Sequence, residues 1–207
     1  MSPLEQSLIA FTLAAALLTA TPGLDTALVL RTAAAEGARR AFAASLGICL
    51  GCLAWGGLVA IGLDMLLQAS GFAYLALKWV GAFYLLYLGA RMILTPRAEG
   101  GSEQDVPAIR ANWLIRGFLT NLLNPKVGAF YVSFLPQFIP AGANVAWTTL
   151  LLAGVHAALG LLWFAALIAA TRPVARALRS PALVRGLDRT TGAVLIFFGV
   201  RLALGRQ

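Results

Sequence analysis

The sequence is poor in charged residues, which make up 12% of its 207 positions, whereas a soluble domain carries roughly 25%. Hydrophobic residues make up 60%, and the mean hydropathy is +0.83. A span of the bilayer needs about 20 apolar residues, so the chain has room for six spans and short connections. This leaves no room for a soluble catalytic domain, which excludes a cytosolic enzyme and predicts an integral membrane protein.

Residues that commonly bind metals or perform catalysis are also scarce. The chain has one histidine, His156, and two cysteines, Cys49 and Cys52, which lie within one apolar segment. No nucleotide-binding loop, nucleophile triad or metal-ligand cluster appears, so no cofactor, no metal site and no enzymatic activity are expected. The formal net charge of +8 is interpreted as membrane-topology charge, and nucleic acid is not expected as a partner.

Apolar stretches between charged or turn-forming segments predict an all-α polytopic membrane protein with six transmembrane helices. The connections alternate in basic content, since the first, third and fifth are rich in arginine and the second and fourth have none. By the positive-inside rule the odd connections are cytoplasmic and both termini lie outside the cytoplasm. The predicted spans are Leu8–Leu30, Ala41–Leu67, Phe72–Leu94, Trp113–Ile139, Ala146–Ala170 and Leu187–Leu204.

The only long polar stretch divides the chain near its middle. Residues 95–112 are interpreted as a cytoplasmic polar linker between a first three-helix half, 1–94, and a second three-helix half, 113–207. Because three is odd, two similar halves would be inverted relative to each other in the membrane, as in many secondary transporters.

Each half is predicted to have a broken first helix. Thr21-Pro22-Gly23 interrupts the first span and Asn124-Pro125-Lys126 the fourth. Proline cannot continue a helix without disrupting it, and a capping residue before proline is typical of a helix start. We therefore expect new half-helices to begin at Thr21 and Asn124, both near the membrane midplane.

The two half-helices would direct their amide groups and positive dipole ends at a shared region, which favours an anionic group. Asp25 and Lys126 lie at the same depth, where a charge needs a partner or a function. One interpretation is a structural Asp25–Lys126 pair. The other is that Asp25 exchanges protons or meets an ammonium group while Lys126 binds a carboxylate, with Asn121 and Asn124 supplying hydrogen bonds.

His156 falls near the middle of the fifth span, where an imidazole either relays protons or packs against another helix. Cys49 and Cys52 form a CxxC pair, which is either a redox pair or two small buried residues. Gly47 and Gly51 have GxxxG spacing, which lets the second span approach a neighbouring helix of the same chain or of a second copy.

These residues resemble the LysE/RhtB family of bacterial amino-acid exporters. The resemblance is carried by Thr21-Pro22-Gly23, by Leu77 to Ala82, by Asn121 to Lys126 and by Phe134 to Phe138. The family's usual second proline and following polar residue are replaced by Leu24 and Asp25.

The resemblance implies a multi-pass protein of the bacterial inner membrane that exports amino acids in exchange for protons and forms homodimers. The site expected from residues and resemblance together consists of Thr21, Pro22, Gly23, Asp25, Asn121, Asn124, Pro125 and Lys126, with Asp25 and His156 in proton coupling. A small neutral substrate, threonine-like, homoserine-like or branched-chain, is favoured because the cavity lacks additional acidic groups. The alternatives are a membrane thiol-disulfide relay through Cys49 and Cys52, and a metal-ion exporter.

Overall fold

The computed structural model describes residues 2–69, 71–95, 112–170 and 180–204, and within them every regular element is helical. The predicted linker, apart from its end residues Thr95 and Asn112, and the basic segment 171–179 lie outside the described residues. The helices are α1 (Pro3–Ala20), α2 (Leu24–Ala35), α3 (Ala38–Ala69), α4 (Gly71–Leu94), α5 (Trp113–Leu122), α6 (Pro125–Ala129), α7 (Val145–Ala169) and α8 (Pro181–Leu204). Between α6 and α7 lie a π-helical segment, Phe130–Phe134, and a 3-10 helix, Leu135–Phe138.

Three described helical stretches are long and apolar enough to cross a membrane: Pro3–Ala20, Ala38–Gly62 and Val145–Ala169. Within α4, the stretch Trp79–Leu94 is also apolar but shorter. An all-helical polytopic membrane protein is thereby confirmed, while the arrangement of six spans in two inverted halves stays a prediction.

Local sequence explains where several helices begin. The Ser2 hydroxyl accepts a hydrogen bond from the Glu5 amide at 3.2 Å, and the Glu5 carboxylate accepts one from the Ser2 amide at 2.9 Å. This reciprocal capping box satisfies two amides at the start of α1. Asn112 and Asn144 cap α5 and α7 through side-chain oxygens that accept from the amides of Ile115 and Trp147.

The helices pack so that α3 lies against both α5 and α7, while α4 lies against α8. Glycines permit the closest approaches. A Cβ at Gly47 would lie 1.9 Å from the Leu114 carbonyl oxygen, and one at Gly117 would lie 1.9 Å from that of Ala44. The close approach predicted from the Gly47–Gly51 spacing therefore occurs within the chain, between α3 and α5.

Two apolar clusters form the core. The larger includes an aromatic group from α1, the segment after α6, and α8, in which the Phe134 and Phe198 ring centroids are 4.5 Å apart. The smaller cluster joins α2, α3 and α7, and consists of Leu28, Val29, Ala44, Ile48, Phe164 and Leu167. Residues of both clusters line one cavity, so this cavity lies between them.

Candidate functional site

A cavity of about 40 Å³ lies where the two helix breaks meet. A buried water needs about 10–15 Å³ measured in this way, so the cavity has room for about three waters. Seven of the nine predicted site residues line it, and the other two, Pro22 and Pro125, lie in the breaks themselves. The seven lining residues are Thr21, Gly23, Asp25, Asn121, Asn124, Lys126 and His156.

The first break differs from the prediction in its details. Thr21 does not cap the new half-helix but ends α1, because its hydroxyl lies 2.7 Å from the Leu17 carbonyl oxygen and its backbone amide donates to the same carbonyl. The chain then passes through Pro22, and α2 begins after Gly23, which has no side chain to cap it. The expectation that a helix begins at Thr21 is therefore wrong, since its hydroxyl is used by the preceding turn.

The second break follows the prediction. The Asn124 side-chain oxygen accepts a hydrogen bond from the Lys126 amide at 3.1 Å, and Pro125 occupies the first turn of α6. Proline is favoured at this position because the first amides of a helix have no partner within the helix. Asn124 is thus confirmed as an N-cap, and this geometry fixes Lys126 at the cavity.

Asp25 joins the two breaks through hydrogen bonds. Its carboxylate accepts from the side-chain amide of Asn121 at 2.7 Å and from that of Asn124 at 3.4 Å. Asp25 lies in the first turn of α2, where a negative charge is stabilised by the positive end of the helix dipole. Two residues about a hundred positions away in the chain therefore hold the carboxylate in place.

Lys126 extends toward the other side of the first break. Its ammonium group donates to the carbonyl oxygens of Leu18 at 3.1 Å and Thr21 at 3.0 Å. These carbonyls belong to the C-terminal end of α1, which has no further helical donors and favours a positive charge. Gly23 lies beside this ammonium group, since a Cβ at that position would be in van der Waals contact with Nζ at 3.7 Å.

Asn121 depends on a close approach between α3 and α5. It is fully buried, and a Cβ at Gly51 would lie 2.6 Å from its side-chain oxygen. Any larger residue at Gly51 would displace the amide that binds Asp25. The glycine spacing noted in the sequence therefore supports the site as well as the packing.

His156 is buried on α7, and its Nδ1 lies 3.1 Å from the hydroxyl of Tyr131. Tyr131 belongs to the π-helical segment, in which the Leu135 amide donates to the Phe130 carbonyl five residues earlier. Single-turn π segments occur frequently at functional sites. The arrangement links a titratable imidazole on the cavity wall to a phenol behind it.

Cys49 and Cys52 both line the cavity and are both free thiols. The Cys49 thiol donates to the Ala157 carbonyl at 3.3 Å, and the Cys52 sulfur accepts from the Asn121 amide at 3.6 Å. These contacts are of the kind that a small buried cysteine makes with its neighbours. In the part of the chain that the structure describes, no group of three His, Cys, Asp or Glu residues is arranged to hold a metal ion.

Thr191 is a residue that sequence reasoning missed. Its hydroxyl lies 2.5 Å from that of Thr21, and both side chains are buried. The two positions are 170 residues apart, so no local pattern could reveal the contact. Tyr131 was also missed, although a tyrosine six residues after the predicted break is a signal that could have placed it near the cavity.

The site therefore offers one carboxylate and one ammonium group that line the same cavity and are held by different partners. Buried charges are stabilised only when they are paired or well hydrogen-bonded, and both groups meet this condition. A small zwitterion carries the complementary pair of charges. A chamber of this kind suits binding and release, and it contains no activated nucleophile among the described residues.

The family model for the LysE type translocator matches residues 16–206. No solved structure matches the chain.

Three similar proteins cover most of the chain. The membrane protein YrhP of Bacillus subtilis is 26% identical, over 96% of this chain and 99% of its own length. An uncharacterized membrane protein of Pseudomonas aeruginosa is 31% identical, over 88% of each chain. A protein named as a leucine efflux protein, from Enterobacter sp. strain 638, is 29% identical, also over 88% of each chain.

Proposed function

Because the chain belongs to the LysE type translocator family, we propose that it exports small neutral amino acids from the cytoplasm in exchange for protons. Members of this family are transporters and not enzymes, so the chain is a multi-pass membrane transporter. The similarity to proteins named for leucine efflux supports an amino acid as the substrate. A bacterial inner membrane is the proposed location.

The observation that carries this proposal is the pair of opposite charges at the meeting point of two broken helices. Lys126 binds the carboxylate of the amino acid, assisted by the uncapped amides at the start of α2 beyond Gly23. Asp25 binds the ammonium group, and Asn121 and Asn124 hold Asp25 in the required position. A neutral amino acid pairs with both charges through its own carboxylate and ammonium groups, and its side chain adds no further charge.

Proton coupling follows from the same carboxylate. Asp25 binds either a proton or the substrate ammonium, so the two compete for one site. His156, which lines the same cavity, is the proposed relay that exchanges this proton with Asp25, and the hydroxyl of Tyr131 orients its ring. Competition for a single carboxylate converts an inward proton gradient into outward movement of the amino acid.

The conformational change that we propose is rocking of two inverted halves around the fixed site. The packing supports this plan, because α3 lies against its counterpart α7, and α4 lies against its counterpart α8. We also propose that the first, third and fifth connections are cytoplasmic, that both termini lie outside the cytoplasm and that the protein forms a homodimer.

The test is transport in liposomes that contain the purified protein, with an imposed pH gradient and a panel of labelled neutral, basic and acidic amino acids. We expect uphill movement of neutral amino acids that an uncoupler abolishes. The matched variant replaces Cys49 and Cys52 with serine and should transport as the unmodified protein does. Absence of flux for every amino acid, in protein shown to be folded, would overturn the proposal, and loss of activity only in the serine variant would favour thiol chemistry.

A further inference from the structure

One wall of the cavity is apolar and has no part in binding the two charges. It is formed by Ile48 of α3 and Phe164 of α7, which are 2% and 4% exposed, and by Gly160. Ile48 and Phe164 belong to the smaller apolar cluster, which also contains Leu28, Val29, Ala44 and Leu167. This cluster borders the cavity, whereas the charge-binding groups belong to the two helix breaks and Asn121.

The α7 part of the wall follows from helical spacing. His156, Gly160 and Phe164 are four residues apart, so they lie on one face of α7, and all three line the cavity. Gly160 is the only one of the three without a side chain, so it leaves space between its neighbours. That space belongs to a cavity of only about 40 Å³.

A methyl group at Gly160 would fit without disturbing the fold. Its Cβ would lie 3.8 Å from the Cys49 sulfur and 3.8 Å from Cε2 of Phe164, which are ordinary van der Waals distances. Alanine also has a better helix propensity than glycine, so the substitution should not destabilise α7. Its main consequence is the loss of space inside the cavity.

We propose that Gly160 sets the size of the side chain that this transporter accepts, with Ile48 and Phe164 as the apolar surface that contacts it. This inference rests on the proposed function, because it assumes that the proposed rocking opens the cavity beyond its volume of about 40 Å³ and that the charged groups of an amino acid then occupy the Asp25 and Lys126 end. The substrate side chain then extends to the apolar wall, which offers van der Waals contact to an aliphatic group and no hydroxyl partner from Ile48, Gly160 or Phe164.

The apolar wall predicts a preference between two amino acids of nearly the same shape. Valine and threonine have nearly the same shape, and apolar pockets discriminate against the added hydroxyl by about 100-fold. The unmodified protein should therefore transport valine more efficiently than threonine by up to about this factor. Equal efficiency for the two would overturn the apolar wall as the contact surface.

Gly160→Ala tests the size limit. One methylene in a pocket changes selectivity by about 10- to 200-fold, so the variant should lose at least about tenfold in leucine transport relative to alanine transport. Gly154→Ala is the matched control, because Gly154 lies on the same helix and a Cβ added there would have nothing within 4 Å. The control should keep the leucine-to-alanine ratio of the unmodified protein.

The outcomes separate the two proposals. If the unmodified protein transports no amino acid, the proposed function fails before Gly160 is tested. If it transports both substrates and Gly160→Ala leaves their ratio unchanged, whether the rates fall together or stay the same, the size role of Gly160 is refuted. Phe164→Leu provides an opposite test, because a smaller side chain should raise methionine transport relative to leucine several-fold, and an unchanged ratio would contradict the proposal.

Discussion

Replacing Asp25 with asparagine should separate amino-acid movement from proton movement. Asp25 is the only acidic side chain among the described residues that line the cavity. In the proposed mechanism this carboxylate carries the coupling proton, so one proton is exchanged for each transported amino acid. With the membrane potential clamped at zero, a pH gradient of one unit supplies about 1.4 kcal/mol per proton, which sustains an amino-acid gradient of about tenfold.

The Asp25→Asn variant should reach no gradient under the same conditions, because a carboxamide does not bind and release a proton. Exchange of labelled for unlabelled amino acid should persist at a reduced rate. The carboxamide oxygen still accepts from Asn121, but one charge-assisted hydrogen bond is lost, at a cost of about 1.5–3 kcal/mol.

The assay is the steady-state distribution of labelled leucine across liposomes with a fixed pH difference, alongside exchange at equal pH. Thermal unfolding in detergent controls for misfolding. A tenfold gradient in the Asp25→Asn variant would refute the assignment of the coupling proton to this residue.

Three further predictions concern contacts made by His156, Thr191 and Gly47. His156→Gln should slow export by about 100-fold, as expected for the loss of a proton-transferring group. The final tenfold gradient should stay intact, since in the proposed mechanism the histidine relays the proton without adding to the number exchanged; a changed final gradient would contradict this. Thr191→Val should raise the KM for leucine with little change in folding, because loss of one hydrogen bond of about 0.5–1.5 kcal/mol loosens Thr21, whose carbonyl holds Lys126, and Thr191→Ser should restore the unmodified KM. Gly47→Ala should lower the thermal unfolding midpoint, with about 1–3 kcal/mol lost to overpacking against the Leu114 carbonyl, whereas Gly57→Ala, which has open space at its Cβ, should not.

The sequence predicts the positions of the helices well because their apolar stretches are long. The predicted third span, Phe72–Leu94, and the observed α4, Gly71–Leu94, differ by one residue at one end. The start of α8 at Pro181, six residues before the predicted span, was missed because Pro181, Arg185 and Gly186 interrupt the apolar pattern there.

The internal structure of the fourth predicted span was only partly foreseen. Pro125 signalled the break, but the π-helical segment and the 3-10 helix after it were not expected. Pro136 offers a physical reason, because its ring clashes with the carbonyl four residues earlier, at Val132, and it has no amide to donate. A regular α-helix cannot continue there, so the chain forms a π-helical segment before Pro136 and a 3-10 helix around it.

The members of the candidate site were identifiable individually, as charged, amide or helix-breaking residues inside apolar spans. Their partners were not, because each contact joins distant parts of the chain. The hydrogen bond from Asn121 to Asp25 crosses 96 positions, and that from Lys126 to Thr21 crosses 105. Only the folded arrangement reveals that Lys126 is held by carbonyls and Asp25 by amides.

In the proposed mechanism, one amino acid leaves for each proton that enters through this cavity. The most direct test records both fluxes in the same liposomes, with labelled leucine for the amino acid and a pH-sensitive dye for the proton, at zero membrane potential. We expect that adding leucine on one side drives protons in the opposite direction at a ratio of one to one. Leucine movement with no accompanying proton movement would contradict the claim.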